Sequence, residues 1–379
     1  MTGAVTPPLF WRAEDLPAWR RWQRAQWPAS RRAVDAARGT LRAGRAALRR
    51  GGTAATEDLT LLLPPGEVHT LVALESFGPT QVAALARPVA SLSAEVAAGV
   101  GWVLPGSPSA EQVATLPGPG GLLPVPSAED DPVARRLAGL RRVLVAGEYL
   151  PAGRAAVRWA RERGAEVGVV QHGLLAVSTP PVPRDATLYA FTEQDAAWWT
   201  QGRADVRTVA VGSALLEAAR QEAVAAPVAA SAEGPGVFLG QLHGAELPRR
   251  DVARAAEEYI RATGAVYRPH PAERDRLSRA QHARWEAAGI TVDRSGEPLT
   301  RTAGPVAAVF STGILEAAQA GRPAGGVHPD PPAWLVQFWD RYGIARWRPG
   351  VETAPTPPLV APTPDPAAAI AEDFWKDPA

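Results

Sequence analysis

Three short strings combine residue types suited to phosphate binding and proton transfer: Val170-Gln171-His172-Gly173, Arg268-Pro269-His270-Pro271 and Phe310-Ser311-Thr312-Gly313. In the third, the apolar run 306–310 reads as a strand and the small and apolar residues to Ala320 as a helix, with Ser311 as its N-cap. The exposed amides of a first helical turn and the helix dipole favour an anion, and Gly313 lets backbone approach it closely. Glu316, one turn further in, would accept hydrogen bonds from a ribose whose phosphate sits on the turn. Taken alone, the string also describes an ordinary capped helix of an α/β domain.

His270 stands between Pro269 and Pro271, which stiffen the loop and aim the imidazole away from the preceding strand. So held, it would donate to a phosphate, and Arg268 would add a planar, always-charged fork. The plainer reading is a rigid turn with a capping histidine. Gly240-Gln241-Leu242-His243-Gly244 offers another backbone-lined strand-end turn, so that Gln241, His243 and Gly244 join the candidate phosphate contacts. His172, after a buried strand, has the unperturbed pKa of a general base working near neutral pH. Glu148 is either the rival base or the carboxylate that orients His172.

Composition narrows the chemistry. The 379 residues, 46% hydrophobic and 21% charged, are enough for two domains with substantial cores, and a formal net charge of +1 makes no overall case for nucleic-acid binding. The absence of cysteine removes disulfides, thiol nucleophiles and thiolate metal sites, and suits a reducing compartment. The only lysine is Lys376, so Walker-type and Schiff-base lysines are not expected and cationic chemistry falls to arginine. The six histidines are far apart and lack HxxxH or HxxE spacing, which argues against a metal site, and no cofactor is expected. There is no signal-peptide pattern at the N-terminus and no run of roughly 18 apolar residues, so the expectation is a cytoplasmic protein.

The elements that must position these residues follow from periodicity. Residues 10–50 hold eleven arginines against Glu14, Asp15 and Asp35, interleaved with Trp11, Trp19, Trp22 and Trp27. Such a segment, at 1–57, suits either peripheral contact with an anionic membrane face or a helical hairpin packed through its tryptophans. A domain at 58–225 alternates short apolar strands with helices. Within it 141–147, 151–164 and 165–170 form a βαβ unit that places Glu148 and His172 at strand ends. The Gly/Pro-rich stretch 116–126 lacks the strand-to-helix context of a dinucleotide fingerprint, and that match is rejected. Residues 223–236 have a linker's composition. A second α/β series at 236–343 predicts strands at 236–240, 265–268, 290–292 and 306–310 and, over 327–343, a terminal helix entered through a proline-rich turn. A Pro-rich tail with a short docking helix, 344–379, ends the chain.

In order and separation, Gln171-His172-Gly173, Arg268-Pro269-His270-Pro271, Ser311-Thr312-Gly313 with Glu316, and Gly321-Arg322-Pro323 resemble bacterial glycosyltransferases of the GT-B fold. The nearest groups are polysialyltransferase-like and capsule polysaccharide enzymes and the CDP-glycerol glycerophosphotransferases, over roughly 141–343. The resemblance implies two facing Rossmann-like domains with the donor nucleotide in the C-terminal one, and no metal requirement. It also implies donor-phosphate contacts at His270, Pro271, Ser311 and Thr312, and a base or acceptor contact at His172 and Gly173. The family's acidic motif has only a partial counterpart in Gly147-Glu148. The expected function is transfer of a sugar or polyol phosphate from a CMP-, CDP- or UDP-linked donor to a glycan or lipid-linked glycan. The alternatives are an epimerase or hydrolase of nucleotide sugars on the same scaffold, and a non-catalytic relative that binds glycan or nucleotide.

Overall fold

The computed structural model describes residues 13–26, 59–118, 123–126, 131–225, 235–244, 246–302, 304–351 and 354–376. The arginine-rich segment lies outside them except for 13–26, where helix α1 (Leu16–Gln26) buries Trp19 against Tyr149 with ring centroids 5.8 Å apart. The chain divides into two compact α/β units. An N-terminal unit comprises Pro8–His172, Thr179–Ala214 and Ala361–Ala379, and a C-terminal unit comprises Gly173–Ser178 and Leu215–Val360.

The N-terminal unit is built on an eight-stranded sheet in the order β4-β1-β3-β2-β5-β6-β7-β8. Its strands are β1 (Leu59–Leu63), β2 (Thr70–Ala73), β3 (Val100–Pro105), β4 (Leu123–Pro126), β5 (Arg142–Val145), β6 (Glu166–Val170), β7 (Ala186–Ala190) and β8 (Arg207–Ala210). β1 runs antiparallel to β3 and β4, and every other pairing is parallel. The near-continuous apolar runs are explained by burial of both faces: Leu61 and Leu63 enter one core and Leu62 the other. The expected βαβ unit is present as β5, α2 (Pro151–Arg163) and β6, with proline at the helix start and Gly164 left-handed at its end (φ 66°). Part of the Gly/Pro-rich stretch forms β4. It is an edge strand, where prolines interrupt no interior ladder.

The C-terminal unit carries a parallel sheet ordered β10-β9-β11-β12, from β9 (Val237–Leu239), β10 (Val266–Arg268), β11 (Val306–Ala308) and β12 (Ala324–Gly326). The strand expected at 290–292 contracts to a single bridge between Val292 and Tyr267. β12 was not legible, since Ala-Gly-Gly has little strand preference of its own. Helices α3 (Arg249–Thr263), α4 (Arg276–Ala287), α5 (Thr312–Gln319) and α6 (Ala333–Arg341) contribute to one core that includes Phe238, Tyr259, Trp285, Ile314 and Trp339. Over 327–343 the helix occupies Ala333–Arg341, entered through the expected proline-rich turn at Pro329, Pro331 and Pro332.

The unit boundaries differ from a single break at 223–236. The chain enters the C-terminal unit at Gly173–Ser178, passes to it again at Leu215 and returns at Ala361. The tail helix α7 (Pro366–Phe374), capped by Asp365, joins the N-terminal core through Ile370, Ala371 and Phe374.

Candidate functional site

In the C-terminal unit β9 leads to β10 on one side, and β11 then lies on the other side of β9. The topological switch point is therefore between the carboxyl ends of β9 and β11, where open parallel sheets bind ligands. Gln241 closes that end. Its Oε1 accepts from the amides of Val309 (3.1 Å) and Phe310 (2.9 Å), so its side chain is a clamp between the two strand ends. The turn continues through Gly244, whose amide donates to the Gln241 carbonyl at 3.1 Å.

The loops after β9 and β10 meet through their histidines. The His243 and His270 rings stack at 4.0 Å between centroids and 19° between planes. His270 Nδ1 accepts from the Ala272 amide at 3.1 Å, so the neutral ring carries its proton on Nε2. Crowding by the protein, and then the second imidazole, pull the His270 pKa down to about 4. Pro271 is exposed at the tip of this turn. Arg268 does not offer the free fork expected of it: its Nε donates to Asp293 Oδ2 at 2.7 Å and a terminal nitrogen to the Glu297 carbonyl at 2.8 Å.

After β11, Ser311 is the N-cap of α5, and its Oγ accepts from the Gly313 amide at 3.1 Å. Thr312 Oγ1 accepts from the Leu174 amide at 3.3 Å. Both hydroxyls are engaged as acceptors, which leaves each O–H proton to donate. Gly313 serves packing: a Cβ there would lie 2.4 Å from Leu239 Cδ1 and 2.9 Å from Leu299 Cδ1. Glu316 is half-buried, and desolvation with the nearby Glu222 carboxylate pushes its pKa up to about 7. β12 adds a fourth loop, in which His328 Nδ1 accepts from the Asp330 amide at 3.2 Å and its buried Nε2 has no partner among the described residues.

The remaining two candidates belong to the N-terminal unit. Glu148 follows β5 and is 6% exposed, with both oxygens taken by Arg161 at 2.8 and 3.1 Å. His172 follows β6, its buried Nδ1 has no hydrogen-bond partner among the described residues, and burial pulls its pKa down to about 4. Its neighbour Gln171 bridges β6 to Phe191 N and Asp195 Oδ2, both at 2.9 Å, which fixes the strand end that carries it. The switch point of this sheet lies between β2 and β5, and there Glu75 Oε1 accepts from the Gly153 amide in the first turn of α2 at 2.7 Å. Glu75 ends an apolar run that gave no motif in the sequence.

No family model matches this chain, and no curated protein does. Solved structures are similar at low identity. The UDP complex of MnaA from S. aureus is 13% identical, with a TM-score of 0.48, covering 82% of this chain and 88% of that one. The UDP-GlcNAc 2-epimerase of Methanocaldococcus jannaschii is 13% identical, with a TM-score of 0.43, covering 82% and 93%. An O-GlcNAc transferase mutant of Thermobaculum terrenum is 14% identical, with a TM-score of 0.40, covering 83% and 62%. Among the described residues no group of three or more His, Cys, Asp or Glu is arranged to hold a metal ion, and no helix is long and apolar enough to cross a membrane.

Proposed function

We propose that this protein is a glycosyltransferase whose C-terminal unit binds a nucleotide-activated donor, CMP- or CDP-linked or UDP-linked, for transfer of a sugar or polyol phosphate to a surface glycan. The observation that carries the reading is the convergence of strand-end loops at one switch point, with the His243–His270 stack on one side and the Ser311-capped N-terminus of α5 on the other. That set offers an Nε2–H, two hydroxyl protons and helix-end amides, all donors, to a leaving phosphate. The charge that develops on the departing nucleotide is thus met by groups already oriented, and this stabilisation would supply most of the rate.

Glu316 would hold the ribose, its carboxylate accepting hydroxyl protons when ionised. His172 is our choice for the base on the acceptor hydroxyl, because Glu148 is engaged by Arg161. A depressed pKa keeps His172 neutral and able to accept a proton throughout the range above pH 4. The test is a thermal-shift series with CMP, CDP, UDP and GDP, since a ligand of the native state raises Tm by mass action. A shift with a pyrimidine nucleotide that disappears in His270→Ala supports the reading, and a shift unchanged in that variant removes it.

A further inference from the structure

Glu273 lies two residues beyond Pro271, and its carboxylate contacts Leu242 and Tyr267 behind the two histidine loops. Its side chain is fully buried. Oε1 accepts from the Leu242 amide at 2.9 Å, and Tyr267 OH donates at 3.1 Å to Oε1 and 3.0 Å to Oε2. Oε2 also lies 2.9 Å from His282 Nε2 on α4. The carboxylate therefore ties together the loop before His243, the strand that leads to His270, and the helix behind them. Gly240 makes room for it: a Cβ there would come within 2.5 Å of the Tyr267 hydroxyl and 2.6 Å of Glu273 Oε1.

A carboxylate removed from water is costly unless donors replace the lost hydration, and here the backbone and two side chains do so. The Leu242 bond is the informative one. It links the buried carboxylate to a loop amide one residue before the stacked imidazole. The negative charge also acts on His270, opposing the crowding that lowers that imidazole's pKa.

We propose that Glu273 is a positioning residue that holds the His243 loop against the His270 loop and so sets the geometry of the phosphate contacts. The inference rests on the donor-site reading for its functional meaning, while its structural content is separately measurable. In the full chain with labelled histidine, each stacked ring shifts the other's carbon-bound protons, and His243→Ala and His270→Ala supply the unstacked positions. Glu273→Leu, which keeps bulk but accepts no hydrogen bond, should move the His243 and His270 resonances to those unstacked positions and weaken binding of UDP or CDP at least tenfold. Glu273→Gln, which retains one acceptor, should move them part of the way and weaken binding less.

Histidine resonances and affinity unchanged from wild type in both variants overturn the proposal. Should Glu273→Leu lose its cooperative unfolding transition, the Glu273→Gln resonances decide alone: a shift toward the unstacked positions supports positioning and wild-type positions overturn it. If wild type binds no nucleotide while Glu273→Leu still unstacks the rings, the donor-site reading fails and the positioning role stands.

Discussion

At the scale of single residues, the two candidate bases separate through their partners. Glu148 has both oxygens engaged by Arg161, whereas the buried His172 Nδ1 has no partner among the described residues. His172→Ala is expected to lower kcat by about 10²–10⁴, the usual worth of a general base, with the melting temperature little changed. Glu148→Gln should mainly lower stability, and a turnover loss as deep as that of His172→Ala would reverse the assignment. The acid limb of the kcat profile should fall near pH 4, because burial holds His172 neutral down to about that value. A limb near 6.5 would mean an unperturbed imidazole. Glu316 gives a stability test of opposite sense. Its pKa rises from the ordinary carboxylate range to about 7 in the folded protein, so between those values the native state binds more protons and stability falls as pH rises. Glu316→Gln should remove that slope and stabilise the protein at pH 8 by roughly 2 kcal/mol, read from chemical unfolding at pH 5 and pH 8.

At the scale of elements, the strand-to-helix transitions were legible because apolar runs ended in glycine, proline or capping residues. The switch from β11 through Ser311 into α5 is the clearest case. Ser311→Ala should cost about 1 kcal/mol as a lost cap, and Gly313→Ala about 1–3 kcal/mol as overpacking against Leu239 and Leu299. Urea unfolding checks both, and a neutral Gly313→Ala would show that the helix can move away from β9. What stayed hidden was either too weak in local pattern or dependent on distant partners. β12 is Ala-Gly-Gly and forms because β11 offers it a ladder. Arg268 looked like a phosphate ligand, but its partners Asp293 and Glu297 lie in a loop about 25 residues away whose approach no local spacing announces. Glu273 was unreadable for the same reason, since its significance comes from Leu242, Tyr267 and His282 together.

At the scale of the whole molecule, the α/β class and the two-unit organisation were readable from alternating strands and helices, while the unit membership of the terminal residues required coordinates. The C-terminal helix belongs to the N-terminal core, with Phe374 4% exposed and Trp375 Nε1 donating to Thr70 Oγ1 at 3.1 Å. Phe374→Ala should therefore destabilise the N-terminal unit by about 3–5 kcal/mol, visible as loss of amide protection in β2 and β7. The proposed donor chemistry requires the C-terminal unit to hold a nucleotide at its switch point. Titration calorimetry of the full chain with UDP and with CDP tests this most directly. Saturable binding of at least one, weakened tenfold or more in His270→Ala at unchanged melting temperature, is the expected result. No binding of either nucleotide, or an affinity that His270→Ala leaves untouched, would contradict it.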